Sequence, residues 1–173
     1  MVSDLTEKSI VTQDNTLINA SYTMTLNEKR LLVLALSKID PMGKAWLEGG
    51  KVKVTAKEWT DIFGLDLKSS YKRLKQSADD LYNRSVRVWG NNNKGEKIRW
   101  LSAEKYSLND GYVEIRFGRE MVYYLSGMVD QFTSYQLLQV SGLKSTHSIR
   151  MYELAKQFDG TGWRYIELGH LRN

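Results

Sequence analysis

Apolar positions recur along this chain at two periods, and the clearest helical run lies between Thr55 and Arg84. Thr55 with Glu58 three residues on reads as a capping box. Trp59, Ile62 and Phe63 then give a short helix one apolar stripe. Gly64 is its stop, because glycine tolerates the left-handed backbone of a helix end. Asp66 or Ser69 caps a longer helix. In it Tyr71, Leu74, Ala78 and Leu81 recur at helical spacing and mark a buried face. Lys68, Lys72 and Lys75 repeat on another face, with Arg73 and Gln76 beside them. A helix with a core side and a cationic side, after a helix and a tight turn, suits a nucleic-acid duplex. An ordinary amphipathic surface helix kept soluble by its lysines has the same pattern.

Upstream, Ile10-Val11 and Leu17-Ile18 flank a polar stretch and read as an extended arm that packs at two points. Thr25 and Glu28 make a second capping box, opening a helix to about Ile39. Leu31 to Leu36 is apolar on every side, the mark of a helix buried on more than one face. Loose from its fold, the same run is an aggregation hazard. Met42 to Lys51 is a glycine-bearing loop. Its Gly50-Lys51 pair lacks the Ser/Thr and the spacing of a phosphate loop. Val52-Lys53-Val54 reads as a short strand.

After Arg84 the period shortens to two. Val86 and Val88 predict one strand and Ile98 to Leu108 a second, bulged one, around a turn at Asn91 to Gly95. Asp110-Gly111 then predicts a hairpin turn into Tyr112–Phe117. Helix-turn-helix followed by hairpin is the layout of a winged helix, so the fold class read here is α+β. Either hairpin suits the wing, and Lys94, Lys97 and Arg99 favour the first. Beyond it the spacing predicts helices at Arg119–Leu125, Ser134–Val140 and Ser145–Phe158. The last has Ile149, Tyr152, Ala155 and Phe158 on its core side and ends at a glycine break. A strand at Trp163–Leu168 and a helix barely begun at His170 complete the reading.

Composition sharpens this picture. The 173 residues carry a net charge of +5 and no cysteine, which favours an anionic partner and excludes disulfides and thiolate metal sites. No apolar run approaches the roughly 20 residues of a membrane span, and no signal peptide is evident, so the cytoplasm is the expected location. His147 and His170 are far apart and match no metal-binding or triad pattern. Asp79-Asp80 reads as local charge balance, with Arg84 within reach of Asp80. No catalytic residue, metal or cofactor is expected. Trp100 reads as core; Trp89 and Tyr106 read as core or as contacts to a second copy.

Several stretches resemble the iteron-plasmid replication initiators. They are Asn15–Ile18 through Thr25–Arg30, Asp80–Val86, Phe132–Tyr135, and above all Ser145–Leu154 with its Ser-Ile-Arg-Met-Tyr-Glu-Leu run. That resemblance implies two tandem winged helices in full-length members. The second makes most base contacts at repeated origin sites; the first supplies phosphate contacts and the dimer interface. It also implies that monomers start replication, that dimers repress their own promoter, and that host initiator and helicase are partners. On this reading residues 1–24 are an N-terminal arm, 25–160 the first winged-helix domain and 161–173 the start of a truncated second. The duplex-facing set is Lys68, Ser69, Lys72, Arg73, Lys75 and Gln76, with Lys94, Lys97 and Arg99 as wing contacts. A module that mainly forms homodimers is the alternative.

Overall fold

The run Leu31–Leu36 becomes the centre of the molecule. A computed structural model describes residues 9–20, 22–89, 94–126 and 131–171. In it helix α2 (Leu26–Ser37) keeps all six of these side chains out of water. Its Thr25 capping box forms as the sequence predicts, with Thr25 Oγ1 accepting from the Glu28 amide and Glu28 Oε2 from the Thr25 amide. Such caps contribute about 1 kcal/mol. The tip of the predicted first turn, 91–93, and the expected helix stop at Gly127 lie outside the described residues.

Strand β2 (Lys51–Thr55) leads into α3 (Ala56–Phe63), which has the second capping box. Gly64 ends α3 at φ +61°, a backbone that favours glycine. Asp66 accepts from the Ser69 amide and starts α4 (Leu67–Asn83). The core face of α4 is Ser70, Leu74, Ser77, Ala78 and Leu81; Tyr71, expected there, is only half-buried. The small serines allow close approach, and their hydroxyls are satisfied locally, Ser70 by the Asp66 carbonyl and Ser77 by the Arg73 carbonyl.

The two hairpins belong to different sheets. β3 (Ser85–Trp89) pairs only with β4 (Gly95–Arg99) among the described residues, whereas β5 (Leu101–Ser107) and β6 (Tyr112–Phe117) join β2 in the order β2-β6-β5. The single bulged strand expected from Ile98 to Leu108 is therefore two strands, divided at Trp100, with a bulge between Leu101 and Ala103. Only the second hairpin shares the sheet of the helix-turn-helix and packs on α4. It is the wing of this winged helix, closed by Gly111 at φ +62°.

The amino-terminal segment is built into the fold. β1 (Ile10–Asp14) pairs antiparallel with β7 (Phe132–Gln136), and α1 (Asn15–Asn19) follows. The pairing removes half of the helix expected at Ser134–Val140, leaving the single turn α6 (Leu138–Ser141). Helix α5 (Arg119–Leu125) lies where expected. Helix α7 (Thr146–Lys156) buries Ile149, Arg150, Glu153 and Leu154, while Ala155 and Phe158 face water. No strand forms at 163–168, and a short α8 (Leu168–Leu171) ends the described chain.

Buried charge explains the shift on α7. Glu153 accepts from Gln13 Nε2 at 2.7 Å and from the Tyr135 hydroxyl at 2.6 Å, and it pairs with Lys29 Nζ at 2.8 Å. Lys29 also donates to the Tyr22 hydroxyl at 3.1 Å. One ionic network thus ties α2, α7, β1 and β7 together.

Candidate nucleic-acid interface

Helix α4 is held from three sides, which fixes the part that faces out. α2 and α3 pack against it, and β5 covers a third flank. At its C-terminal end Arg84 makes a two-point contact with the buried Glu28, Nε to Oε1 at 2.7 Å and a second nitrogen to Oε2 at 3.2 Å. Ser85 then enters β3. The outward face carries Lys68, Lys72, Arg73 and Gln76, all exposed, with Ser69 half-buried beside them. Lys68, Lys72 and Arg73 have no ion pair among the described residues.

The predicted stripe does not continue down the helix. Lys75 is half-buried, pairs with Asp79 at 2.8 Å and lies 4.3 Å from the centre of the Tyr106 ring. Gln76 donates to Asp80 at 2.9 Å. The close ion pair of Arg84 is with Glu28, and Asp80 also helps to raise the Arg84 pKa. The open cations therefore occupy the first two turns of α4, and an acidic patch follows.

The first hairpin is apart from this set. Lys94, Lys97 and Arg99 are exposed, but Arg99 lies over the Tyr82 ring at 5.7 Å, beside the last turn of α4. Tyr82 is ten residues beyond Lys72, about 15 Å along the axis at the helical rise. These three residues instead form a second basic patch with Arg87, which pairs in register with Lys97. Arg87 was legible, since it alternates with Val86 and Val88. On the true wing the cations are Lys105 of β5 and Arg116 of β6, and Lys53 of the neighbouring β2 lies 3.7 Å from the Tyr112 ring centre. Sequence reasoning missed Lys53, because it reaches the wing only through the pairing of β2 with β6.

A carboxyl pair lies between α4 and the wing. Glu104 of β5 lies against Asp79. Burial first, then Asp79, pushes the Glu104 carboxyl up to about 7, while the Lys75 bond holds Asp79 below its usual range. A carboxyl raised on folding gives stability that is complete below its unfolded value and lost as pH rises through the folded one. Urea stability of the wild type should therefore decline between about pH 4.5 and 7 relative to Glu104→Gln, which lacks this titration. Parallel pH profiles for the two proteins would refute the raised Glu104 carboxyl.

The match to known proteins decides the family. The family model described as "Initiator Replication protein, WH1" covers residues 10–156. This chain belongs to the WH1 family of replication initiators. Two Escherichia coli proteins are similar to this WH1 chain across 91% of its length. One is an uncharacterized 27.6 kDa protein, 27% identical and matched over 70% of its own length. The other is the PI protein, 24% identical and matched over 58%. The crystal structure of Pi initiator protein in complex with iteron DNA has the same fold, with a TM-score of 0.76 at 22% identity. That match covers 88% of this chain and 65% of the Pi chain. The WH1 domain of MSBI1.176, a replication protein isolated from a multiple sclerosis patient, matches at a TM-score of 0.51 and 26% identity. It covers 64% of this chain and 83% of that one. This WH1 chain thus spans about three fifths of the PI protein. The family is one of replication initiators. Among the described residues no helix is long and apolar enough to cross a membrane.

Proposed function

We propose that this chain binds double-stranded DNA at plasmid origin repeats through the first two turns of α4, with Lys53 and Lys105 of the wing side as backbone contacts. One observation carries the reading. Lys68, Lys72 and Arg73 stand exposed, and without counter-ions among the described residues, on the outer face of the second helix of a helix-turn-helix. The complex of the Pi protein with iteron DNA supports it by analogy. Lys94, Lys97 and Arg99, with Arg87, serve as a separate phosphate-facing patch. In the same reading one copy acts at the origin and a pair of copies represses the chain's own promoter, with host initiator and helicase as partners.

The test is a gel-shift series across salt. Lys68→Glu with Lys72→Glu should weaken duplex binding at least about tenfold near 0.1 M salt and lower the salt slope by about two, because each phosphate contact contributes about 0.9. Lys75 is a poor choice for this purpose, since Asp79 already neutralises it. Unaltered affinity and slope would sink the assignment.

A second reading has its own observation. Trp89 is 64% exposed on β3, whose two-stranded sheet has no further strand among the described residues. Apolar surface beside an open edge suits pairing with a second copy. Sedimentation with and without duplex separates the two: a dimer that ignores DNA favours a pairing module.

A further inference from the structure

A cavity of about 330 Å³ is walled by α1, α7 and the segment 164–167. Asn19 of α1, Arg150 and Leu154 of α7, and Arg164, Ile166 and Glu167 of that segment line it. None of the residues proposed to face the duplex takes part. Its volume lies at the lower end of the range for small-molecule sites, about 300–1,000 Å³. Arg150 is only 7% exposed. Its Nη1 donates to the Ala20 carbonyl at 3.0 Å, and its Nε has no hydrogen-bond partner among the described residues. Its guanidinium lies over the Tyr22 ring at 5.5 Å.

Arg164 lines the same cavity. Its Nη1 donates to the Leu154 carbonyl at 3.1 Å and to Gln157 Oε1 at 2.9 Å, and its Nη2 donates to Asn19 Oδ1 at 3.0 Å. The Phe158 ring flanks its guanidinium at 4.8 Å. Both arginines thus meet neutral oxygens and rings, and neither has an ion pair among the described residues. Neighbouring acids are committed elsewhere. Glu153 pairs with Lys29, Asp159 pairs with Lys156, and Asp14 caps α1. Glu167 is exposed at the rim and makes no ion pair among the described residues. Burying an unpaired charge is costly, so two guanidinium groups on one cavity call for a dianion. Arginine's planar fork matches phosphate oxygens through two parallel hydrogen bonds, and its weak hydration suits partial burial.

We infer that this cavity binds a small phosphate monoester, with Arg150 and Arg164 on the phosphate group and Leu154, Ile166 and Tyr165 against its organic body. The volume exceeds what a bare phosphate ion fills, and the apolar walls give the remainder of the molecule surface to bury. Arg164 is already fixed by three hydrogen bonds and Arg150 by one, with an aromatic ring behind each. The site therefore needs little ordering when the ligand arrives. Glu167 opposes the anion and limits its affinity. The site does not depend on the duplex face of α4.

The test is arginine side-chain NMR on the full chain. A nucleoside monophosphate that replaces chloride at constant ionic strength should shift the Arg150 Nε–H resonance saturably. Inorganic phosphate should shift it the same way with affinity at least about tenfold lower, because it buries no apolar surface on Leu154 and Ile166. Arg164→Gln should weaken monoester binding about tenfold, the value of a charge-assisted hydrogen-bonded pair. Glu167→Gln removes a like charge at the rim and should tighten binding about threefold. No saturable shift in the wild type overturns the site. Inorganic phosphate that binds as tightly as the monoester overturns the place given to the organic body. Equal affinities in the wild type and both variants overturn the placing of the anion between these residues. If Arg164→Gln lowers the Tm by loosening its segment, Glu167→Gln decides alone, since Glu167 makes no hydrogen bond among the described residues. A short duplex that produces the same shift and displaces the monoester gives the site to a backbone phosphate and overturns the small-molecule occupant.

Discussion

Lys29→Met should destabilise the fold by about 3–5 kcal/mol, the usual cost of removing one partner of a buried ion pair. Both side chains are sealed from solvent, at 1% and 0% exposure. Without Lys29 the Glu153 carboxylate keeps its bonds from Gln13 and Tyr135 but loses its only close counter-charge among the described residues. Burial opposes the charge on Lys29, yet Glu153 and Tyr22 outweigh it and hold its pKa above the ordinary lysine value. The sign follows from that direction. The contribution of a raised lysine is complete below its unfolded value of about 10.4 and is lost only as pH rises through the folded value. Wild-type stability from this pair is therefore flat across neutral pH. Adding Glu153→Gln should recover most of the loss, since an amide oxygen still accepts from Gln13 and Tyr135. Urea unfolding followed by circular dichroism at pH 8 compares the two variants with the wild type. A deficit under about 1 kcal/mol at pH 8 would show that water reaches this site.

The ionic network also marks where sequence reading stops. Helix starts are local events, and Thr25, Thr55, Asp66 and Ser145 all cap as their spacing predicts. So are the Gly64 stop and the uniformly buried run Leu31–Leu36. The face of α7 is not local. Periodicity puts Ala155 and Phe158 inside, but Arg150 and Glu153 are buried because the Ala20 carbonyl, Lys29, Gln13 and Tyr135 meet them there. Likewise β7 reads as part of a helix until its partner β1, more than a hundred residues away, is in place.

The candidate interface divides in the same way. Exposure of Lys68, Lys72 and Arg73 follows from helical angle alone. Neutralisation of Lys75 by Asp79 was also legible, as an i,i+4 pair. Glu104 and Lys53 were not, because each acts across elements that only tertiary packing brings together. The result is a helix whose first two turns are open cations and whose later turns are acidic. In the proposed DNA reading, charge sets the orientation: the start of α4 is the end that approaches phosphate, and Asp79 and Asp80 disfavour its other end.

Trp100→Ala should cost about 3–5 kcal/mol, in the range for a large aromatic lost from a core. Trp100 is fully buried and meets Tyr22 edge-on at 5.3 Å. Its position matters as much as its volume. Its amide donates to the Arg84 carbonyl at 3.4 Å, and its own carbonyl accepts from Gly118 at 3.0 Å. The residue is thus the pivot at which the chain leaves the β3–β4 sheet and enters the wing sheet. Its indole Nε1 finds no partner among the described residues, so Trp100→Phe loses packing but no hydrogen bond and should cost about 1–2 kcal/mol less than the alanine. Replacement by Ala leaves a void under both hairpins, and the pleat of β5 sets where Tyr106 meets Lys75. Duplex binding should therefore weaken in Trp100→Ala even at temperatures where it remains folded, whereas Trp100→Phe should bind like the wild type. Chemical denaturation and gel shift on the same preparations test both halves. A folded alanine variant with full affinity would mean that the wing is held in place without this pivot.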